Sequence, residues 1–323
     1  VYSREILRGL AAGGFADRWE WFYRAQRFWR ALGEKRPSNV KVRFLADSCG
    51  NRGAPLFHGL NQRLPRKRFK RQVCTFHDLF VLSGDYSTAD FRRRFAAQAR
   101  EAAAASDLIV AVSAFTASQV EGLLHVPASR IRVVHHGVAP RPLPALPREK
   151  LVLCVGAIQR RKNQARLVRA FAALPDEWQL VLAGSEGFEA SETLTEIARS
   201  PCRDRILVTG YVPDVELAMW YARAEIFAFP SLDEGFGMPL LEAMDAGVPV
   251  LTSRRTALRE VAGDAALIVD PESEEDIADG LRALAADENL RARLTGAGRA
   301  RARRFTWYKA VAETEAVYAE LLP

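Results

Sequence analysis

Six short apolar runs in the second half of the chain do most to limit its fold. They are Leu151–Val155, Gln179–Ala183, Arg205–Val208, Glu225–Phe229, Pro249–Thr252 and Ala266–Val269, separated from one another by helical periodicity or turn signals. Runs of this length between breakers read as strands buried on both faces, and their alternation with helices predicts a doubly wound parallel sheet. Ile277, Leu281 and Leu284 mark a late amphipathic helix. At 323 residues the chain has room for a second domain with its own core. Four prolines between Val138 and Lys150 read as a stiff linker and place the boundary there.

The first half carries a similar but less regular pattern. Ile6, Leu7 and Leu10 recur at helical spacing from the first residues on, Arg18–Ala25 and Asn39–Leu45 read as strands, and Arg71–Phe76 as another. That last run ends at His77-Asp78, which sets the pair at the carboxyl end of a parallel strand, where ligands bind in open α/β sheets. A histidine there can equally cap a loop. Ala89–Ala105 reads as a helix, and Asp107–Val112 as a strand closed by Ser113, which caps the helix after it. Ile131–Gly137 is the last strand and turn of this half.

Chemistry concentrates in Ser231–Val250, a loop leading into a helix that has Pro239 in its first turn and Gly247-Val-Pro249 at its end. Gly235 and Gly237 flank Phe236 and let the backbone approach a ligand closely. The N–H groups at the helix start, over Met238 to Leu241, favour negative charge. Neither Glu234 nor Glu242 is placed for core packing, and a ligand that is anionic at one end and rich in hydroxyls elsewhere would use amides and carboxylates alike. Nucleotide sugars fit that description.

Glu234-Gly-Phe-Gly-Met-Pro-Leu-Leu-Glu242 resembles the signature of the retaining glycosyltransferases of family 4. The resemblance extends through Val155–Asn163, Thr209–Pro213, Thr252-Ser253, Glu260–Asp264 and Phe305-Thr-Trp307, and is nearest to the bacterial mannosyltransferase-like branch that builds lipopolysaccharide and exopolysaccharide. It implies the GT-B fold: two doubly wound, Rossmann-like domains facing across a cleft. The acceptor-side domain would cover residues 1–140, the linker 141–150, the nucleotide-sugar domain 151–305, and a helix over 306–323 would return toward the first domain. In the family a first strand precedes the opening helix; here it is not found, so the chain is expected to be truncated at its start. The resemblance further implies that Glu242 holds the ribose hydroxyls. Glu234, with the amides of Gly235, Phe236, Gly237 and Met238 and the helix start at Pro239 and Leu240, would hold the donor sugar. Tyr211 and Val212 would frame the nucleobase, and His77 would face the sugar. His135 and His136 match a turn of the family and are read as structural. Retention, with the acceptor attacking on the face the diphosphate leaves, comes from the resemblance alone.

Cleaving a sugar from a diphosphate requires charge to be stabilised on the leaving group. No Asp-x-Asp occurs to hold a metal for this, so no metal and no other cofactor is expected. Arg161 and Lys162, on the loop that leaves the first strand of the second domain past Gly156, are expected to do that work instead. Cations at a helix start oppose the helix dipole, which calls for an anion nearby.

The formal charge of +7 points to an anionic partner. Much of it lies in Arg63–Arg71, six cations in nine residues, read either as a solvated loop or as a contact with an anionic membrane; no nucleic-acid partner is expected, since Phe69 alone interleaves the run. No apolar run approaches a membrane span, which leaves a cytoplasmic protein, peripheral on the inner face of the cell membrane if that run touches lipid. Cys49, Cys74, Cys154 and Cys202 lack metal-ligand spacing and read as reduced thiols. The competing readings are a nucleotide-sugar epimerase of the same shape and a basic domain that binds nucleotide or nucleic acid without turnover.

Overall fold

Val73, Cys74, Thr75 and Phe76 point alternately to two faces of one strand, and both faces are covered, which fixes the layering of the first half of the chain. The structure is a computed structural model that describes residues 1–16, 18–45, 54–66 and 68–323, with the backbone alone at residue 26. Its elements begin with α1 (Tyr2–Ala12), β1 (Trp19–Tyr23), α2 (Ala25–Leu32), β2 (Val40–Phe44), β3 (Leu56–Gly59) and β4 (Arg71–Phe76). They continue with α3 (Phe80–Ser83), α4 (Ala89–Ala105), β5 (Leu108–Ala111), α5 (Ala114–Leu124) and β6 (Ile131–Val133). The chain divides into two units. The first holds Val1–Leu82, Ala89–Gly137 and Phe305–Pro323; the second holds Ser83–Thr88 and Val138–Arg304.

In the first unit β3, β4, β5 and β6 form a parallel sheet in that order. Val73, Leu108 and Val110 pack on Ile6 and Leu10 of α1 and on Val317 and Tyr318 near the chain's end. Cys74, Phe76 and Ile109 pack on Ala99, Ala102 and Val120 of α4 and α5. Ser113 caps α5 as read, accepting from the Thr116 N–H at 2.9 Å. The strands at Trp19–Tyr23 and Val40–Phe44 pair in parallel with each other in a separate two-stranded sheet.

A buried polar chain crosses the first unit. Thr75 Oγ1 meets Tyr2 Oη at 2.9 Å and His58 Nε2 at 2.8 Å, and His58 Nδ1 meets Tyr318 Oη at 2.6 Å. Burial pushes His58 down to about 3, so it is neutral. The basic run is partly consumed by the fold: Arg68 and Arg71 both turn to Asp107, and Phe69 stacks on Phe57 at 4.7 Å. Lys67 and Cys49 lie outside the described residues. Cys74, Cys154 and Cys202 are buried and unbridged, and burial raises the thiols of Cys74 and Cys154 to about 12.

The second unit contains β7 (Glu149–Val155), α6 (Gln164–Phe171), β8 (Gln179–Ala183), α7 (Ala190–Arg199), β9 (Ile206–Gly210), α8 (Asp214–Arg223) and β10 (Ala224–Phe229). After these come α9 (Met238–Asp245), β11 (Val250–Ser253), α10 (Thr256–Ala262), β12 (Leu267–Val269), α11 (Glu274–Ala286) and α12 (Glu288–Ala302). The strands form one parallel sheet in the order β12-β11-β10-β7-β8-β9. The chain therefore runs outward from β7 to β9, returns to β10 beside β7, and runs outward again. In such sheets the crevice for a ligand lies where the direction reverses, at the carboxyl ends of β7 and β10. Arg148 fastens the opposite end, donating to the carbonyls of Tyr221 (2.6 Å), Ala224 (2.7 Å) and Ala246 (2.8 Å), where α8 and α9 finish.

The last helix, α13 (Trp307–Ala319), belongs to the first unit and lies against α1. Contact is close because position 9 is glycine; a Cβ there would overlap Val311. No helix among the described residues is long and apolar enough to cross a membrane.

Unfolded His58 takes up a proton near pH 6.5, whereas the buried ring refuses it until about 3. Stability is therefore expected to fall as pH drops through that window, by up to about 1.4 kcal/mol per pH unit from this residue. Denaturant unfolding at pH 7 and pH 5 checks this: His58→Gln should be less stable at pH 7 and lose less than the wild type on acidification.

Candidate functional site

The two loops that leave β7 and β10 meet. Gly156 ends β7 at φ +140, a conformation that side chains rarely adopt, and the Lys162 side chain lies over it. A single turn of 3-10 helix, Arg160–Lys162, then leads to Asn163, which takes left-handed backbone geometry before α6. The Asn163 amide donates to the carbonyls of Pro230 (3.0 Å) and Pro271 (2.7 Å), tying this loop to the end of β10 and to the segment before α11. The Leu232 N–H donates to the Arg161 carbonyl at 2.7 Å. Backbone and amide bonds thus fix the two loops before any side-chain charge is considered.

Glu234 stands between two cations on that frame. Lys162 Nζ donates to Glu234 Oε1, and an Arg161 guanidinium nitrogen lies 3.1 Å from the same oxygen and 2.9 Å from the Asp233 carbonyl oxygen. Lys162 and Glu234 are both buried, and the ammonium sits 4.6 Å over the Phe229 ring. Burial alone would raise the Glu234 carboxyl, but Lys162 and Arg161 outweigh it and hold it below the usual range. Burial lowers the Lys162 ammonium, with Glu234 opposing. Asp233, next in the chain, accepts from Ser83 Oγ at 2.6 Å, and burial raises its carboxyl.

This arrangement changes one step of the sequence argument. The anion that cations at a helix start call for is supplied within the protein by Glu234, so the charge pair does not by itself demand a ligand.

The helix start is also partly committed. Gly237 opens α9 at φ +98, where a Cβ would meet Leu258 Cδ2 at 2.5 Å, and Pro239 falls in the first turn as read. The Leu240 N–H, however, donates to the Gly237 carbonyl at 3.0 Å, and the side chains of Leu240 and Phe236 are buried. Those two residues pack the helix; Leu240 offers a ligand neither an available amide nor a side chain. Met238 and Pro239 are half-buried at the entrance.

Glu242 lies in a second cluster. Its carboxylate accepts from Tyr221 Oη at 3.1 Å and from an Arg141 nitrogen at 3.4 Å; the same guanidinium donates to the Asp214 carbonyl at 3.0 Å. Burial raises the Glu242 carboxyl, and Arg141 opposes this. Arg141 therefore links α9 to the start of α8, directly after the Tyr211-Val212 turn. Tyr211 is 81% exposed at the end of the edge strand β9, with Val212 half-buried beside it.

His77 belongs to the first unit and is engaged there. A carbonyl can only accept, so the 2.8 Å bond to Leu60 O places the proton on Nε2, and Nδ1 faces His136 Nε2 at 3.3 Å. The Tyr2 ring closes over it at 4.6 Å, and burial lowers its pKa. In this tautomer the single ring N–H of His77 is given to Leu60.

The structure thus brings Gly156, Arg161, Lys162 and Glu234 together, sets Glu242 in a second cluster on α9, and leaves Tyr211 and Val212 at the sheet edge. Sequence reasoning passed over Arg141, Tyr221, Asn163 and Asp233. Arg141 sits in a proline-rich stretch that reads as a linker, and Tyr221 at core spacing on a helix. Among the described residues no three His, Cys, Asp or Glu side chains converge as metal ligands.

Two family models match the chain: "Glycosyltransferase Family 4" over residues 6–141 and "Glycosyl transferases group 1" over residues 140–301. The chain is 34% identical to O-antigen chain mannosyltransferase B of Escherichia coli over 281 residues, covering 81% of this chain and 74% of that one. It is 36% identical to the D-inositol 3-phosphate glycosyltransferase of Xylanimonas cellulosilytica, covering 67% of this chain and 58% of that relative. Among solved structures, Anabaena HepE in complex with UDP and glucose superposes with a TM-score of 0.75 at 17% identity, covering 98% and 95% of the two chains. WaaG, a glycosyltransferase involved in lipopolysaccharide biosynthesis, superposes at 0.70 and 16% identity, covering 93% and 99%.

Replacing Glu234 by Gln leaves the buried Lys162 and the half-buried Arg161 without their shared carboxylate, and is expected to cost about 3 kcal/mol of unfolding free energy. Glu242→Gln, which keeps a partner for Tyr221, is expected to cost about 1 kcal/mol or less. Urea unfolding of the two variants tests this ranking.

Proposed function

The chain belongs to glycosyltransferase family 4, and on that footing we propose that it moves a hexose, mannose by preference, from a nucleoside diphosphate sugar to a saccharide or lipid-linked saccharide in cell-surface polysaccharide synthesis. What supports the donor side is the Lys162, Arg161 and Glu234 cluster: it stands at the reversal point of a parallel sheet and sets a lysine and an arginine there. A diphosphate brought there meets a lysine and an arginine held in place before it arrives. The relative from Escherichia coli bears the name of a mannosyltransferase, which favours mannose over other hexoses. The HepE structures hold UDP, UDP-glucose and glucose, which favours a nucleotide sugar as donor.

In the proposed step the bond from the anomeric carbon to the diphosphate oxygen breaks and a bond to the acceptor oxygen forms on the same face. The departing diphosphate takes the acceptor's proton, so no enzyme nucleophile is required. Lys162 and Arg161 stabilise the charge gathering on the diphosphate. Glu234, with the turn from Gly235 to Pro239, holds sugar hydroxyls, Glu242 holds the ribose, and Tyr211 and Val212 border the base. Gly156 leaves room for the phosphates. His77 is assigned to the sugar side only if ligand binding releases it from Leu60. The first unit would take the acceptor, on the cytoplasmic side of the cell membrane, with Arg63–Arg71 near anionic lipid.

Transfer assayed with GDP-mannose and other nucleoside diphosphate sugars tests the reading. Lys162→Ala and Glu234→Ala should each lower kcat by about a hundredfold or more, with folding checked by circular dichroism. Rates within threefold of wild type in either variant overturn the assigned roles. EDTA should leave the rate unchanged; loss of activity on chelation, restored by a divalent ion, overturns the metal-independent step.

A further inference from the structure

α2 exposes the face that a core helix would bury. Ala25, Trp29 and Leu32 stand at i, i+4 and i+7, the spacing that aligns side chains along one face of a helix, and all three are exposed, Trp29 at 77%. Inward contact comes instead from Ala31, which is buried, and from Phe28, whose ring meets Phe44 at 5.5 Å. Phe44, itself 44% exposed, prolongs the apolar strip onto β2.

Charge around the strip has one sign. From Arg24 to Arg43 the chain carries seven Lys or Arg and one acid, Glu34. Arg27 and Arg30 on α2, and Arg24 at its N-cap, are exposed. Among the described residues Arg43 is paired with Glu20 at 3.0 Å. An indole and a leucine in water between arginines, on a helix of eight residues, suit a surface that is apolar a few ångströms down and anionic on top.

We propose that α2 docks this protein on an anionic phospholipid surface. Trp29 and Leu32 enter below the headgroups, and Arg24, Arg27 and Arg30 meet the lipid phosphates. The Arg63–Arg71 run differs in kind: Arg68 and Arg71 are turned to Asp107, and its one aromatic, Phe69, is 3% exposed under Phe57. That run offers charge and nothing to insert. The docking does not depend on the transfer chemistry, so either can fail without the other.

Co-sedimentation of the full chain with vesicles separates the outcomes. Binding is expected to vesicles of equal parts phosphatidylcholine and phosphatidylglycerol, and to be about tenfold weaker or less to phosphatidylcholine alone. The Trp29→Ser, Leu32→Ser double variant should bind the mixed vesicles at least about tenfold more weakly, while its circular dichroism and its activity on a soluble acceptor stay unchanged. Neutralising Arg24, Arg27 and Arg30 to Gln should weaken binding as well. Wild-type binding that the double variant retains, and that Arg63→Gln, Arg66→Gln and Lys70→Gln remove, overturns the proposal in favour of the other run. Absence of wild-type binding, self-association lost in the double variant, or retention by nucleic acid instead of vesicles overturns it too.

Discussion

A carboxylate with almost no access to water stays ionised only if fixed positive charge stands against it. In this protein Glu234 has two such charges, Lys162 and Arg161, and both come from a different loop seventy-odd residues earlier in the chain. The pairing requires the loop after β7 to lie beside the loop after β10. That follows from a sheet whose strand order reverses between those two strands. The Asn163 amide, bonded to carbonyls of Pro230 and Pro271, holds the loops at the separation the charges need. Sheet topology, backbone tethering and electrostatics therefore converge on one spot, and each is weaker without the others.

The site is assembled by the chain's own groups. The cations are neither solvated nor waiting for a counterion; Glu234 keeps them in place, and an arriving diphosphate would compete for charges that are already oriented. Such preorganisation lowers the reorganisation needed during reaction. The Glu242 cluster follows the same logic at lower charge, with Arg141 opposing the effect of burial on a carboxyl that Tyr221 also holds.

Much of this is legible in the sequence wherever local rules suffice, in both units. The strands Gln179–Ala183 and Arg71–Phe76 and the helix Ala89–Ala105 fall at the bounds their sequence predicts, since both faces of each strand are buried and a long uninterrupted pattern is hard to misread. Less was visible where partners are distant. Nothing local says that β1 and β2 pair with each other apart from the main sheet, and β3, four residues long, shows too little alternation to read. The bond from Arg141 to Glu242 spans 101 positions and begins in a proline-rich stretch. At His77 the strand end is legible, but its partners, the carbonyl of Leu60 and the ring of His136, are not signalled by the residues around position 77.

The return of α13 to the first unit has a bearing on how the protein is made. Residues 138–304 of the second unit are contiguous and emerge from the ribosome together, whereas the apolar face of the first sheet that carries Val73, Leu108 and Val110 receives Val317 and Tyr318 only after all of them have been made. The first unit is thus begun before the second and completed after it. During elongation its Thr75 and His58 lack the Tyr318 end of their polar chain, and a nascent chain stalled before Trp307 would present that face uncovered to chaperones.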